Sequence, residues 1–131
     1  MDQRQKFTKI LQAHGVGLAY FLGSQQELGL RLLQGRAVTP KPDSDLDLGI
    51  VLQEHIADYK ALTALRERLV AELKPLFAPI KLHLLFLEEE NAHVQYAALQ
   101  GIRVYMVSAE FERQYRRQAL TLYGDWHSWW P

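Results

Sequence analysis

Residues 21–52, FLGSQQELGLRLLQGRAVTPKPDSDLDLGIVL, decide how this chain is read. The stretch begins with a short apolar run that stops at Gly23-Ser24 and ends in a segment, Asp45 to Leu52, that starts in strict alternation and becomes fully apolar. Alternation of period two places Leu46, Leu48 and Ile50 on one face of a strand and Asp45, Asp47, Gly49 and Val51 on the other. Two carboxylates on one strand face repel each other in the open. With a divalent cation they become hard oxygen ligands, a pair suited to magnesium held jointly by protein and nucleoside triphosphate. A Gly-Ser turn after a buried strand offers backbone N–H groups and a hydroxyl to phosphate oxygens at a helix N-terminus. Taken singly, each motif is more often a plain feature, a solvated strand face or a turn with a cap. Their combination carries the chemical reading.

The rest of the chain sets bounds. At 131 residues, residues 1–131 are expected to form a single domain. A hydrophobic fraction of 48% and a charged fraction of 23% argue against disorder and fibrous classes. Fifteen basic residues balance fifteen acidic ones, which argues against nucleic acid as the main partner. There is no cysteine, so neither a disulfide framework nor a thiolate metal site can form. The N-terminal MDQRQKFTKI lacks a signal-peptide pattern, and no apolar run reaches bilayer length. These features predict a cytoplasmic protein with no membrane partner.

In chain order, Phe7, Ile10 and Leu11 predict an amphipathic helix over Gln3 to Ala13, ended by Gly15. Leu18 to Leu22 reads as a buried strand, with Ser24 as N-cap of a following helix through Leu33. Gly35, Pro40 and Pro42 mark a loop. Tyr59, Leu62, Leu65, Leu69 and Leu73 predict a helix over Asp58 to Lys74, stopped by Pro75. Pro79 to Leu87 reads as a strand with Ile80, Leu82, Leu84 and Phe86 on one face and Lys81, His83, Leu85 and Leu87 on the other. A helix over Glu88 to Leu99, a strand over Ile102 to Val107 and a helix over Ala109 to Tyr123 complete an alternating string. Such alternation predicts a sheet covered by helices.

The order strand, Gly-Ser, helix, loop, then PDSDLDLGIVL resembles the nucleotidyltransferase superfamily of DNA polymerase beta-like fold. Within it the chain is similar to the minimal nucleotidyltransferase (MNT) group, whose signature is Gly-Ser, a spacer and Asp-x-Asp. The likeness covers most of the chain and includes the final strand and helix with Tyr123 and Asp125 as a Tyr-x-Asp. It implies an α+β fold, a small mixed β-sheet of about four strands with helices packed on it. Carried over by position, Gly23 and Ser24 hold the nucleotide phosphates with Ser44 beside them, and Asp45 and Asp47 hold magnesium and are the catalytic pair. Two departures stand out. The spacer from Ser24 to Asp45 is about twice the usual length, an enlargement of the kind that chains tolerate because loop-closure cost grows slowly. The surplus falls at 26–34, where it extends the helix or forms a lid. The second departure concerns a third carboxylate, which the family places on the next strand. Here that strand reads Pro79-Ile80-Lys81-Leu82-His83, with Lys81 at the matching position.

Lys81 can neutralise an aspartate without metal or contact a triphosphate. His83 shares its face and is a possible base, since imidazole ordinarily titrates near neutrality; a hydrogen-bonded strand histidine is the commoner outcome. Glu88 to Glu90 read as solvated acids at a helix start. His14, His55, His93 and His127 show no zinc spacing. Arg113, Arg116 and Arg117 read first as a solvated helix face, and Trp126, Trp129 and Trp130 as core or interface rings.

The resemblance implies a magnesium-dependent enzyme that transfers a nucleoside monophosphate from a nucleoside triphosphate, ATP first among them, to a hydroxyl acceptor. That acceptor can lie on a partner protein, since MNT chains are paired with helical HEPN toxins. The alternative is a degenerate antitoxin or nucleotide-binding module that acts by binding a HEPN-type toxin. Either is compatible with a homo-oligomer.

Overall fold

The computed structural model describes residues 1–39 and 45–128, with side chains described as far as Asp125. Helix α1 (Gln3–Ala13) starts at a capping box: Asp2 accepts from the Gln5 N–H, and the Gln5 side chain accepts from the Asp2 N–H. It ends where Gly15 takes φ +72°, a left-handed conformation that glycine adopts without a Cβ penalty. Strand β1 (Val16–Leu22) is buried along its whole length. After it come α2 (Gln26–Leu33), β2 (Asp45–Leu52), α3 (Tyr59–Phe77), β3 (Lys81–Phe86), a 3₁₀ turn over Leu87–Glu89, α4 (Ala92–Leu99), β4 (Ile102–Met106) and α5 (Ala109–Ser128).

The strands form one mixed sheet in the order β3-β2-β1-β4. β1 is antiparallel to β2 and to β4, whereas β2 and β3 run parallel. A parallel pair needs a crossover, and α3 supplies it. The α+β class and mixed sheet implied by the resemblance are therefore present.

Each face of the sheet carries its own core. On one, Ala19 and Phe21 of β1, Leu46, Leu48 and Ile50 of β2, and Leu82, Leu84 and Phe86 of β3 pack with Phe7, Leu11, Leu33, Leu69, Leu73 and Phe77 of α1, α2 and α3. Phe77 sits edge-on to Phe7 and Phe21, with ring centroids 5.9 and 5.6 Å apart. On the other, Leu18, Tyr20, Leu22 and Val51 pack with Leu87, Ala98, Leu99, Tyr115 and Ala119, under α4 and α5. The face assignments expected for β2 and β3 hold.

Three local expectations are corrected. Ser24 is not the N-cap of α2; Gln25 holds that position and makes no side-chain cap bond. Pro75 does not stop α3, which runs on to Phe77. That extension puts Leu76 and Phe77 into the core, and this burial outweighs the backbone hydrogen bond lost at Pro75. What ends the helix is Ala78, extended as residues before proline prefer. Finally, Glu88 and Glu89 lie in a 3₁₀ turn rather than an α-helix. α4 begins at Ala92, capped by Asn91 accepting from the Val94 N–H at 2.9 Å.

Candidate functional site

α4 and α5 cover only part of their face. The N-terminal ends of β2 and β3 stay open there, and this is where the alternation places Asp45, Asp47, Lys81 and His83. Asp45, Lys81 and His83 are exposed and Asp47 is half-buried.

The two neighbours of β2 build the site from either side. Antiparallel pairing sets Leu22 of β1 opposite Asp47, so the chain leaves β1 for Gly23 beside that carboxylate. Gly23 has φ +85°, and a Cβ there would stand 2.8 Å from Asp47 Oδ2. Glycine suits this left-handed turn, and a side chain there would push the carboxylate aside. Parallel pairing then sets Lys81 beside Asp45 and His83 beside Asp47. His83 Nδ1 lies 3.0 Å from Asp47 Oδ1, an imidazole–carboxylate contact with the two side chains 55% and 31% exposed. Asp47 thus has one oxygen toward the glycine turn and the other toward β3. Among the described residues, neither Asp45 nor Lys81 is in an ion pair.

Of the residues singled out in the sequence, Gly23, Ser24, Asp45, Asp47, Lys81 and His83 come together at one end of the sheet. Ser44 lies outside the described residues, as do Trp129 and Trp130. Glu88 and the arginines of α5 are elsewhere; Arg113 pairs with Glu110 on its own helix. The 26–34 segment forms α2 rather than a lid, with Gly29 and Leu33 buried against the core.

The glycine turn is held from behind by residues that sequence reasoning passed over. A Cβ on Gly29 would meet Leu46 at 2.8 Å and Phe21 at 3.1 Å, so its absence lets α2 press onto the sheet under the turn. A Cβ on Gly101 would fall 2.1 Å from the carbonyl oxygen of Phe21, two residues before Gly23. Gln25, in the turn itself, is fully buried. A lone glycine after a helix, or inside a helical stretch, gives no hint in the sequence of what Gly101 and Gly29 approach.

Charge elsewhere on this face is arranged for structure. Tyr20 donates to Glu112 Oε2 at 2.9 Å, and Arg103 donates to Glu112 Oε1 at 2.7 Å, tying β1, β4 and α5 together. Burial, and then the bond to Glu112, raises the Tyr20 hydroxyl well above its ordinary value. Tyr115 donates to Gln95 Oε1 at 2.9 Å, and burial raises its hydroxyl too. At the far end of β2 a cleft of about 200 Å³ is lined by Val51, His55, Glu88, Phe111 and Tyr115. Burial raises the Glu88 carboxyl, nearby His55 lowers it and Glu89 raises it further.

Two carboxylates at i, i+2 with a glycine turn against one of them are a donor set that suits one magnesium ion shared with nucleotide phosphates, since magnesium commonly takes one or two carboxylates and completes its shell from water and substrate. Among the described residues no group of three or more His, Asp or Glu side chains is placed to hold a metal by itself.

No family model matches the sequence, and a search of curated proteins finds no relative. Solved structures share its architecture. A crystal structure of a mutant toxin–antitoxin MntA–HpeT aligns over 95% of this chain and 90% of its own, with TM-score 0.66 and 15% identity. A toxin–antitoxin with AMP-PNP aligns over 95% and 90%, with TM-score 0.65 and 16% identity. A complex of tri-AMPylated Shewanella oneidensis HEPN toxin with MNT antitoxin aligns over 96% and 87%, with TM-score 0.61 and 14% identity. Sequence identity this low speaks to architecture, and the architecture agrees across nearly the whole of both chains: this chain has the minimal nucleotidyltransferase fold.

Proposed function

We propose that the chain is an MNT-family antitoxin that transfers a nucleoside monophosphate, AMP from ATP first among them, to a hydroxyl on a HEPN-type partner protein in the cytoplasm. The observation that carries this reading is the approach of Gly23 to Asp47, which brings a phosphate turn and a carboxylate pair to one point. The solved relatives support the choice of donor and acceptor, since one holds AMP-PNP and another an AMPylated HEPN toxin.

In this reading the Gly23-Ser24 turn and the N-terminal end of α2 bind the phosphates, helped by the helix dipole. Asp45 and Asp47 would hold magnesium, which when bound neutralises phosphate charge and orients the triphosphate. The acceptor oxygen bonds to the α-phosphorus, the bond to the bridging oxygen breaks, pyrophosphate leaves, and the hydroxyl proton passes to a base. In this reading His83, which contacts Asp47 on the same face, takes that last role.

Incubation of the chain with α-labelled ATP, magnesium and the co-purified helical partner is expected to label the partner, and Asp47→Ala to abolish the labelling. Absence of both label and ATP binding would sink the proposal. A second reading, neutralisation by binding alone, is favoured by one observation: basic residues stand beside both aspartates. It expects Asp47→Ala to neutralise the partner as well as the unaltered chain does.

A further inference from the structure

The register of β2 on β3 says how many metal ions the site can take. Adjacent strands lie about 4.8 Å apart, and side chains paired across them on one face are neighbours. Each aspartate of β2 faces a nitrogen base on β3, Lys81 beside Asp45 and His83 beside Asp47. Along this face the described residues therefore offer two carboxylates flanked by glycine on the β1 side and by an ammonium and an imidazole on the β3 side. A divalent cation can be held on the glycine side, where Asp47 Oδ2 points and phosphate oxygens would complete its shell. A second one, toward β3, would sit next to the Lys81 ammonium with no further acid among the described residues to hold it, since no three acidic or imidazole groups converge among them. Like charge and a missing ligand both act against it.

We propose that this site takes a single divalent cation together with its nucleotide, and that Lys81 supplies on β3 the positive charge that a second ion would otherwise bring. Lys81 is exposed and in no ion pair among the described residues, so its flexible four-carbon stem is available to reach phosphate oxygens as a point charge. The inference rests on the nucleotide-site reading given above and adds to it the number of ions and the role of Lys81.

The test counts metal rather than product. Manganese is titrated into the chain with saturating AMP-PNP, and free ion is followed by electron paramagnetic resonance, with far-ultraviolet circular dichroism as the check on folding. One ion per chain is expected. Lys81→Asp, which installs an acid beside Asp45, is expected to raise the count to two. Lys81→Ala should leave the count at one and weaken AMP-PNP by about tenfold, the worth of one charge-assisted hydrogen bond. Two ions on the unaltered chain would overturn the inference and leave the nucleotide site standing. A count of one in Lys81→Asp, in a folded protein, would overturn the part given to Lys81, as would unchanged AMP-PNP affinity in Lys81→Ala. If neither manganese nor AMP-PNP binds the unaltered chain, the nucleotide-site reading and this inference fall together.

Discussion

On one face of the sheet Phe7, Phe21 and Phe77 interlock beneath α1, α2 and α3, with all three side chains fully buried. On the other, α4 and α5 stop short of the N-terminal ends of β2 and β3, and four polar side chains meet the solvent. The same strand serves both. In β2, Leu46, Leu48 and Ile50 belong to the closed face, while Asp45 and Asp47 alternate with them onto the open one. Packing on one side fixes the strand, and the strand then fixes the carboxylates to within the tolerance of a backbone hydrogen-bond ladder. A site of this kind does not need its own folding energy. It follows that the two faces should respond to mutation in opposite ways.

The largest effect belongs to the closed face. Phe77→Ala removes the ring that touches both Phe7 and Phe21, and a buried Phe→Ala change costs about 3–5 kcal/mol. Urea unfolding should show that loss, with nucleotide binding falling only in step with the folded fraction. A loss under about 1 kcal/mol would mean the aromatic cluster relaxes freely and is not what anchors the sheet.

The open face should show the reverse. Asp47→Asn keeps size and hydrogen-bonding capacity but removes the charge that the proposed ion and His83 both use. Transfer is expected to fall by about 10²-fold or more, the range seen when an electrostatic group is lost from an active site. The melting temperature should hardly move, because a partly exposed surface substitution usually stays within about 0.5 kcal/mol. A large drop in stability would show that the His83–Asp47 contact is structural.

The closed face was the more legible of the two in the sequence. Helix α1 and strand β2 have the bounds their periodicities announce, because a repeat of 3.6 or of two reports directly on which residues face a core. Where one local signal met a stronger tertiary one, the local signal lost: Pro75 marks a helix end that burial of Phe77 overrides. The open face was legible as residue types, and as neighbours only through the resemblance, which sets Lys81 at the place of a third carboxylate. That Lys81 and His83 share a face follows from alternation. That they stand beside Asp45 and Asp47 follows from a parallel register, which depends on how α3 crosses the sheet and leaves no mark in either strand. The glycines behind the turn were least legible, since Gly29 and Gly101 matter for what approaches them from elsewhere.

Gly23 and Gly35 separate the conformational part of a glycine's effect from the functional part. Both have positive φ, +85° and +79°. A Cβ on Gly35 meets nothing within 4 Å, so Gly35→Ala should cost only the left-handed penalty of about 1–2 kcal/mol. Gly23→Ala carries the same penalty and also pushes against Asp47 Oδ2. A carboxylate is a movable end, so the two variants should lose similar stability in thermal melts, but only Gly23→Ala should weaken nucleotide binding, by about tenfold if one charge-assisted contact is lost. Equal binding in the two would detach the glycine turn from the nucleotide.

The smallest effect lies at the covered end of the open face, where Glu88 borders the cleft beneath α5. Burial raises its carboxyl above the ordinary value, Glu89 adds to the rise, and His55 opposes it. The folded protein therefore holds this proton more tightly than the unfolded chain does. The stabilisation that follows is complete below the ordinary carboxyl range and is lost as pH rises through the raised folded value. A glutamine side chain cannot ionise and so loses nothing over that interval. Glu88→Gln should therefore match the unaltered protein in melting temperature at acidic pH and exceed it slightly at neutral pH, with solvent around an exposed residue keeping the gain small. A gain that grows toward acid instead would mean that His55 dominates and holds Glu88 ionised. The cleft would then be an ion-pair site, and acids poised for a ligand rather than for stability would have to be sought at the Asp45–Asp47 end of this face.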